Sequence, residues 1–193
     1  MINKHYLPII IFFLIIPIFY IGLDRNKSEL PSPLIGKEMP KFSLPSLQNS
    51  NHIIDNSNFD YEIFLLNVWA TWCSGCLEEH PFLMQLSKSN QIPIIGLNWR
   101  DNKNDAIDWL ENYGDPYNLI ANDKLGRVAI DWGVYGAPES FLVDSNGIII
   151  HKHLGPLNEK IWEQDFVSLI RDCLLYTSPS PRDATLSRMP SSA

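Results

Sequence analysis

The residues best equipped for chemistry are Trp72-Cys73-Ser74-Gly75-Cys76. Two cysteines at this spacing can open and close a disulfide if one of them is held as a thiolate. Apolar Ile63 to Val68 reads as a strand that passes through an aromatic turn into the start of a helix. At a helix N-terminus, free N–H groups and the helix dipole stabilise a thiolate. They can lower a cysteine pKa from about 8.5 to roughly 3.5–7.5. Cys76, one turn along the same face, is placed to attack a mixed disulfide at Cys73 and release the product.

Other uses of the pair fit less well. Covalent haem attachment needs His after the second cysteine, and Leu77 stands there. A structural zinc site needs two more ligands at matching spacing, but the remaining cysteine is Cys173. His80 alone does not close a tetrahedral set. A purely structural disulfide across so short a loop would constrain the unfolded chain little. No metal is expected, and no cofactor beyond the Cys73–Cys76 disulfide itself.

The elements around the pair read as follows. Glu62 to Ala70 is an apolar run fit for a central strand buried on both faces. Cys73 to about Lys88 reads as a helix that Pro81 should kink. Ile92 to Trp99 is a second strand, so the unit is βαβ with a right-handed crossover. Ala106, Ile107, Trp109 and Leu110 mark an amphipathic helix ending at Gly114. A short strand near Asn118 to Ala121 and a short helix near Lys124 to Trp132 follow. Ser140 to Val143 and Ile148 to His151 flank an Asn-Gly turn, and Ile161, Trp162, Phe166, Leu169 and Ile170 lie at helical spacing. The order predicts an α/β sandwich on a mixed sheet.

The 193 residues have room for one domain of ordinary size plus appendages. With 15 Lys and Arg against 22 Asp and Glu the net charge is −7, which argues against nucleic acid as a partner. Tyr6 to Leu23 carries no charged side chain and is just long enough to cross a bilayer. Residues 1–23 therefore read as a membrane anchor or an uncleaved signal, since no small-residue cleavage pattern follows. Residues 24–36 are polar and Pro-rich, as a linker standing off a membrane should be. The domain is expected over 37–172. Residues 173–193, rich in Ser, Pro and Arg without apolar periodicity, read as non-native or disordered tail.

The WCSGC motif after a buried strand, followed by Gly133-Val134-Tyr135-Gly136-Ala137-Pro138-Glu139-Ser140, resembles the thioredoxin superfamily. Within it, the chain resembles the membrane-anchored DsbE/CcmG group of cytochrome c maturation thioredoxins, over roughly residues 34–172. The resemblance implies a thioredoxin-like α/β fold: a mixed central sheet flanked by helices, with an N-terminal extension and an α/β insertion around Asp101 to Ala121. One transmembrane helix would precede it. Taken alone, Pro138 fits the opening of an edge strand. The resemblance implies a cis Ala137–Pro138 bond facing the cysteines, with backbone beside it free to pair with an extended substrate. It also assigns Glu79, one turn beyond Cys76, to proton transfer with that cysteine. Glu78 should point to solvent. Asn67 stands where thioredoxin has a buried Asp, and an amide cannot take that proton. Glu139, beside Pro138, resembles the family's acidic groove residue but reads as a rim charge, His151 and His153 read as edge decoration, Trp69 as core and Trp72 as an apolar contact surface for a partner. The role of His80 is open.

The function implied is that of a periplasmic thiol–disulfide oxidoreductase, anchored in the inner membrane and acting as a reductant. Its partners would be apocytochrome c, or a thiol protein of cytochrome c maturation, and a DsbD- or CcdA-like membrane electron donor. A general reductase of the TlpA or ResA kind shares the same chemistry. A non-catalytic apocytochrome-binding module would use the groove without turnover. A disulfide-forming oxidase and a peroxidase fit the residues less well.

Overall fold

Asn67 is polar in the middle of an otherwise apolar strand, and the sheet around it explains its setting. In the computed structural model, which describes residues 12–17 and 32–177, β3 (Ile63–Trp69) is buried at every position. It pairs in parallel with β4 (Ile94–Trp99) and antiparallel with β6 (Glu139–Asp144). The five-stranded sheet has the order β5-β4-β3-β6-β7, with β5 at Leu119–Asp123 and β7 at Ile149–Leu154. Side chains alternate across a strand. Phe64, Leu66 and Val68 of β3 enter one core with Ile95, Leu97, Trp132 and Phe141. Ile63, Leu65 and Trp69 lie in the clusters on the opposite face, and Asn67 has the same parity.

That second face carries α1 (Ser74–Ser89), α2 (Lys103–Tyr113) and the C-terminal helical segment. The segment comprises α4 (Glu159–Ile161), a π-helical turn (Trp162–Phe166) and α5 (Val167–Thr177). The short α3 (Arg127–Asp131) lies with the other core. Helix α1 accommodates Pro81 without interruption and stops at Asn90, which takes the left-handed conformation at φ 50°. Helix α2 ends at Gly114 as the sequence suggests. The hairpin between β6 and β7 turns at Gly147, φ 73°, with Asp144 Oδ1 accepting from the N–H groups of Asn146 and Ile148.

Two features have no strong periodic signal. Strands β1 (Ser43–Pro45) and β2 (Ile53–Asp55) form a separate two-stranded ribbon. The ribbon docks on β5, with the Leu47 N–H donating to the Ile120 carbonyl. At the N-terminal side, Leu34 packs on the core and the Gly36 N–H donates to the Ile149 carbonyl. At the other end, α5 runs past Asp172 and Cys173 to Thr177.

The expected anchor falls largely outside the described residues. Of it, residues 12–17 form a short exposed helical stretch. Among the described residues no helix is long and apolar enough to cross a membrane. Residues 18–31 and 178–193, covering most of the expected linker and tail, also lie outside the described residues.

Candidate active site

Cys73 is the N-cap of α1, and its Sγ accepts the Cys76 backbone N–H at 3.0 Å. The strand, turn and helix therefore deliver the pair as the sequence suggested. The two are joined in a disulfide, with Cα atoms 5.3 Å apart, and both side chains are nearly covered. In the reduced protein the same N–H would donate to a Cys73 thiolate and favour it.

The turn before the helix is fixed from the side. Asp101, buried just after β4, accepts from the Thr71 N–H (2.6 Å) and hydroxyl (2.7 Å) and from Asn98 Nδ2 (3.0 Å). Trp72 remains 55% exposed, its Nε1 donating to the Arg100 carbonyl and its ring against Trp99. Such an apolar ring beside a disulfide is available to a partner. Trp69, by contrast, is core.

The Ala137–Pro138 bond is cis. Pro138 lies against the dipeptide between the cysteines. A Cβ built on Gly75 would come within 2.9 Å of Pro138 Cδ and 3.2 Å of Pro156 Cγ, so a glycine there admits the close approach. The Pro138 carbonyl accepts from the Gly155 N–H.

Glu79 is 1% exposed, whereas Glu78 faces solvent. Asn67 Nδ2 donates to Glu79 Oε1 at 2.9 Å and the Leu157 N–H to Oε2 at 2.9 Å. Burial outweighs these two donors and pushes the carboxyl up to about 7. A carboxyl that ionises near neutrality has a pKa suited to exchanging a proton with a thiol.

The same burial makes stability depend on pH. Below about 4.5, the ordinary value, the carboxyl is protonated in both folded and unfolded chains. As pH rises the unfolded chain ionises first, and the folded chain follows only near 7. Stability from this group is thus lost between those values, by about 3 kcal/mol in total. Urea unfolding of the oxidised chain at pH 5 and pH 8 should show the wild type losing most of this relative to Glu79→Gln.

Several side chains are not where the sequence suggested. Glu139 is not a rim charge: it is 2% exposed and ion-paired with Lys152 at 2.9 Å. Its Oε1 accepts from the Tyr135 and Gly136 N–H groups, because the loop folds back over the start of β6. His151 and His153 are not edge decoration either. Strand β7 is an edge strand, but both rings pack on Phe166 of the C-terminal segment. His80, whose role was open, packs its ring on Trp109 and has Nε2 3.3 Å from the Tyr113 carbonyl and 3.1 Å from that of Gly114. Burial holds it below the usual histidine range, so the neutral ring donates to these carbonyls and ties α1 to the end of α2.

Sequence reading missed Tyr117, Ser140 and Leu157, which complete the surroundings of Asn67 and Glu79. The one available signal was Asn67 itself. A polar residue inside an apolar strand has to find buried partners.

Known proteins show the same plan. Residues 34–170 match the Redoxin family. The chain is 43% identical over 169 residues to the thiol:disulfide interchange protein DsbE of Escherichia coli K12, covering 84% of this chain and 91% of that one. It is 38% identical over 164 residues to DsbE of Allochromatium vinosum, covering 85% and 91%. A solved structure titled as a putative DsbE from Chlorobium tepidum superposes with a TM-score of 0.57 at 24% identity, covering 74% of this chain and 96% of that one.

Proposed function

The chain belongs to the Redoxin family, among the DsbE thiol:disulfide interchange proteins, and from that premise we propose that this oxidoreductase works as a reductant of protein disulfides in cytochrome c maturation. The observation that carries the direction of transfer is the buried Glu79 carboxyl one turn from Cys76. Once ionised, it disfavours a second negative charge at Cys76. That raises the free energy of the reduced thiolate forms relative to the disulfide, which makes the dithiol a better electron donor.

In the proposed reaction the Cys73 thiolate attacks one sulfur of a substrate disulfide and expels the other as a thiolate. Cys76 passes its proton to Glu79 and attacks Cys73 Sγ. The Cys73–Cys76 bond forms, and the substrate leaves as a dithiol carrying two electrons from the protein. Trp72 and the backbone at Ala137, beside Pro138, would seat the substrate segment. A cysteine-bearing segment of apocytochrome c, or of the thiol protein that handles it, is the substrate favoured here. The apolar stretch at 6–23 would anchor the chain in the inner membrane with the domain in the periplasm. An oxidising compartment requires an electron source, so a membrane thiol donor of the DsbD or CcdA kind would return the disulfide to the dithiol.

Equilibration of the full chain against glutathione and thioredoxin couples tests the direction. The expected potential lies between about −270 and −180 mV. A value near about −120 mV, that of a strong oxidant, would overturn the proposal.

A further inference from the structure

Asn67 stands between Gly96 of β4 and Ser140 of β6 in the sheet register. Gly96 leaves a slot on that side. A Cβ there would meet Trp69 Nε1 at 2.9 Å and Tyr117 Cγ at 3.0 Å. The Tyr117 ring fills the slot, stacked on Trp69 with centroids 5.4 Å apart. From there its hydroxyl donates to Asn67 Oδ1 at 2.9 Å, while Asn67 Nδ2 donates to Glu79 Oε1 and, at 3.1 Å, to Ser140 Oγ.

We propose that Tyr117 is a positioning residue for proton transfer: its hydroxyl holds Asn67 in the amide orientation that donates to Glu79, so that the α2–β5 insertion tunes the carboxyl serving Cys76. This rests on the assignment of Glu79 as the group that exchanges a proton with Cys76.

The two ends of a carboxamide differ only in which donates. Reversed, Asn67 would turn its oxygen toward Glu79. The Ser140 hydroxyl would tolerate that reversal, because it can donate as readily as accept. Tyr117 would not, because its buried phenol proton would lose Asn67 Oδ1 as acceptor. Burial, with the Glu79 and Asp115 carboxylates adding to it, raises Tyr117 well above the usual phenol range, so it stays a donor while Glu79 titrates. Tyr117, with Asp115 nearby, comes from the loop after α2, and Cys76 and His80 share α1 with Glu79. The β6 strand supplies neutral Ser140, whose register partner on β7 is His153, and the turn before α4 supplies the Leu157 N–H.

Removing the hydroxyl lets the amide reverse, and Glu79 loses a donor to its charged form. Its ionisation must then move to higher pH. The full chain, oxidised and labelled with ¹³C at glutamate carboxyls, reports this directly, with the Glu79 signal assigned by its loss in Glu79→Gln. Tyr117→Phe is expected to raise the midpoint by about one pH unit, the scale of one hydrogen bond to a charged group. Asn67→Ala should raise it as far, and the double variant no further, because both act through one chain of bonds. Tyr113→Phe, on the exposed end of α2, should leave it in place. A Tyr117→Phe chain that melts earlier with an unchanged Glu79 midpoint overturns the inference. If that variant does not fold, an unchanged midpoint in Asn67→Ala does so instead. The proton-transfer assignment is judged separately, by the pH profile of Cys76 alkylation in the reduced chain. It fails if Glu79→Gln and Glu78→Gln both keep the wild-type profile.

Discussion

Cys76→Ser should leave the protein covalently joined to its substrate through Cys73, whereas Cys73→Ser should neither turn over nor trap. The asymmetry follows from position. Cys73 caps α1 and receives the Cys76 N–H, so its thiolate is the favoured one, and it lies at the turn beside exposed Trp72. Cys76 lies inside the first turn, 2% exposed, where it meets Cys73 Sγ more readily than an incoming protein. With a hydroxyl at position 76 the mixed disulfide has no internal nucleophile and accumulates. Non-reducing electrophoresis of the Cys76→Ser chain, after incubation with a disulfide-bonded apocytochrome segment, should show a band that dithiothreitol removes. Turnover should fall by orders of magnitude in both variants. A band of equal strength from Cys73→Ser would reverse the assignment of attacking and resolving thiols. Undiminished function in both would leave only a binding module.

The largest effect on stability is expected at Lys152, away from the cysteines. Its ammonium lies 2.9 Å from Glu139 Oε2, donates to the Gly133 carbonyl at 2.7 Å, and sits 4.5 Å from the Tyr135 ring centroid. Both charges are almost fully covered, at 4% and 3% side-chain exposure. Breaking one side of such a pair typically destabilises by about 3–5 kcal/mol, because the remaining charge is buried without compensation. Lys152→Met should lose about that much in urea unfolding. The double variant Lys152→Met/Glu139→Gln should recover part of it, since the substituted amide carries no charge and keeps an acceptor for the Tyr135 and Gly136 N–H groups. If the double variant is no more stable than the single one, buried charge is not the cause. The loss should also reach function. Lys152 ties residues 133 and 139 together across the loop that presents Ala137 and Pro138, so the single variant should bind its substrate more weakly.

Much of the central architecture was legible because it rests on local pattern. The apolar run at Ile63 to Trp69, the Asn-Gly turn before β7 and the spacing of Trp162, Phe166 and Ile170 each follow from side-chain periodicity. The β1–β2 ribbon was not legible, because strands this short have too few residues to show a period. Pro81 is accommodated inside α1, which runs without interruption from Ser74 to Ser89.

By itself, the sequence determined the identity and placement of the reacting sulfurs: a buried strand, a turn and a helix start put Cys73 at the cap and Cys76 one turn inside. It also indicated Glu79 and Pro138, through a pattern resembling known thiol oxidoreductases. Only the tertiary structure decided what surrounds them. Glu139 and Lys152 lie on neighbouring strands and became a buried pair, where the sequence suggested a rim charge. Asn67, Tyr117, Ser140 and Leu157 come from four separate segments and meet at one carboxyl or one link from it. Periodicity reports which face a residue occupies within its own element. Which polar groups share a buried site depends on how elements far apart in the chain are brought into register, and burial then sets how costly each charge is there.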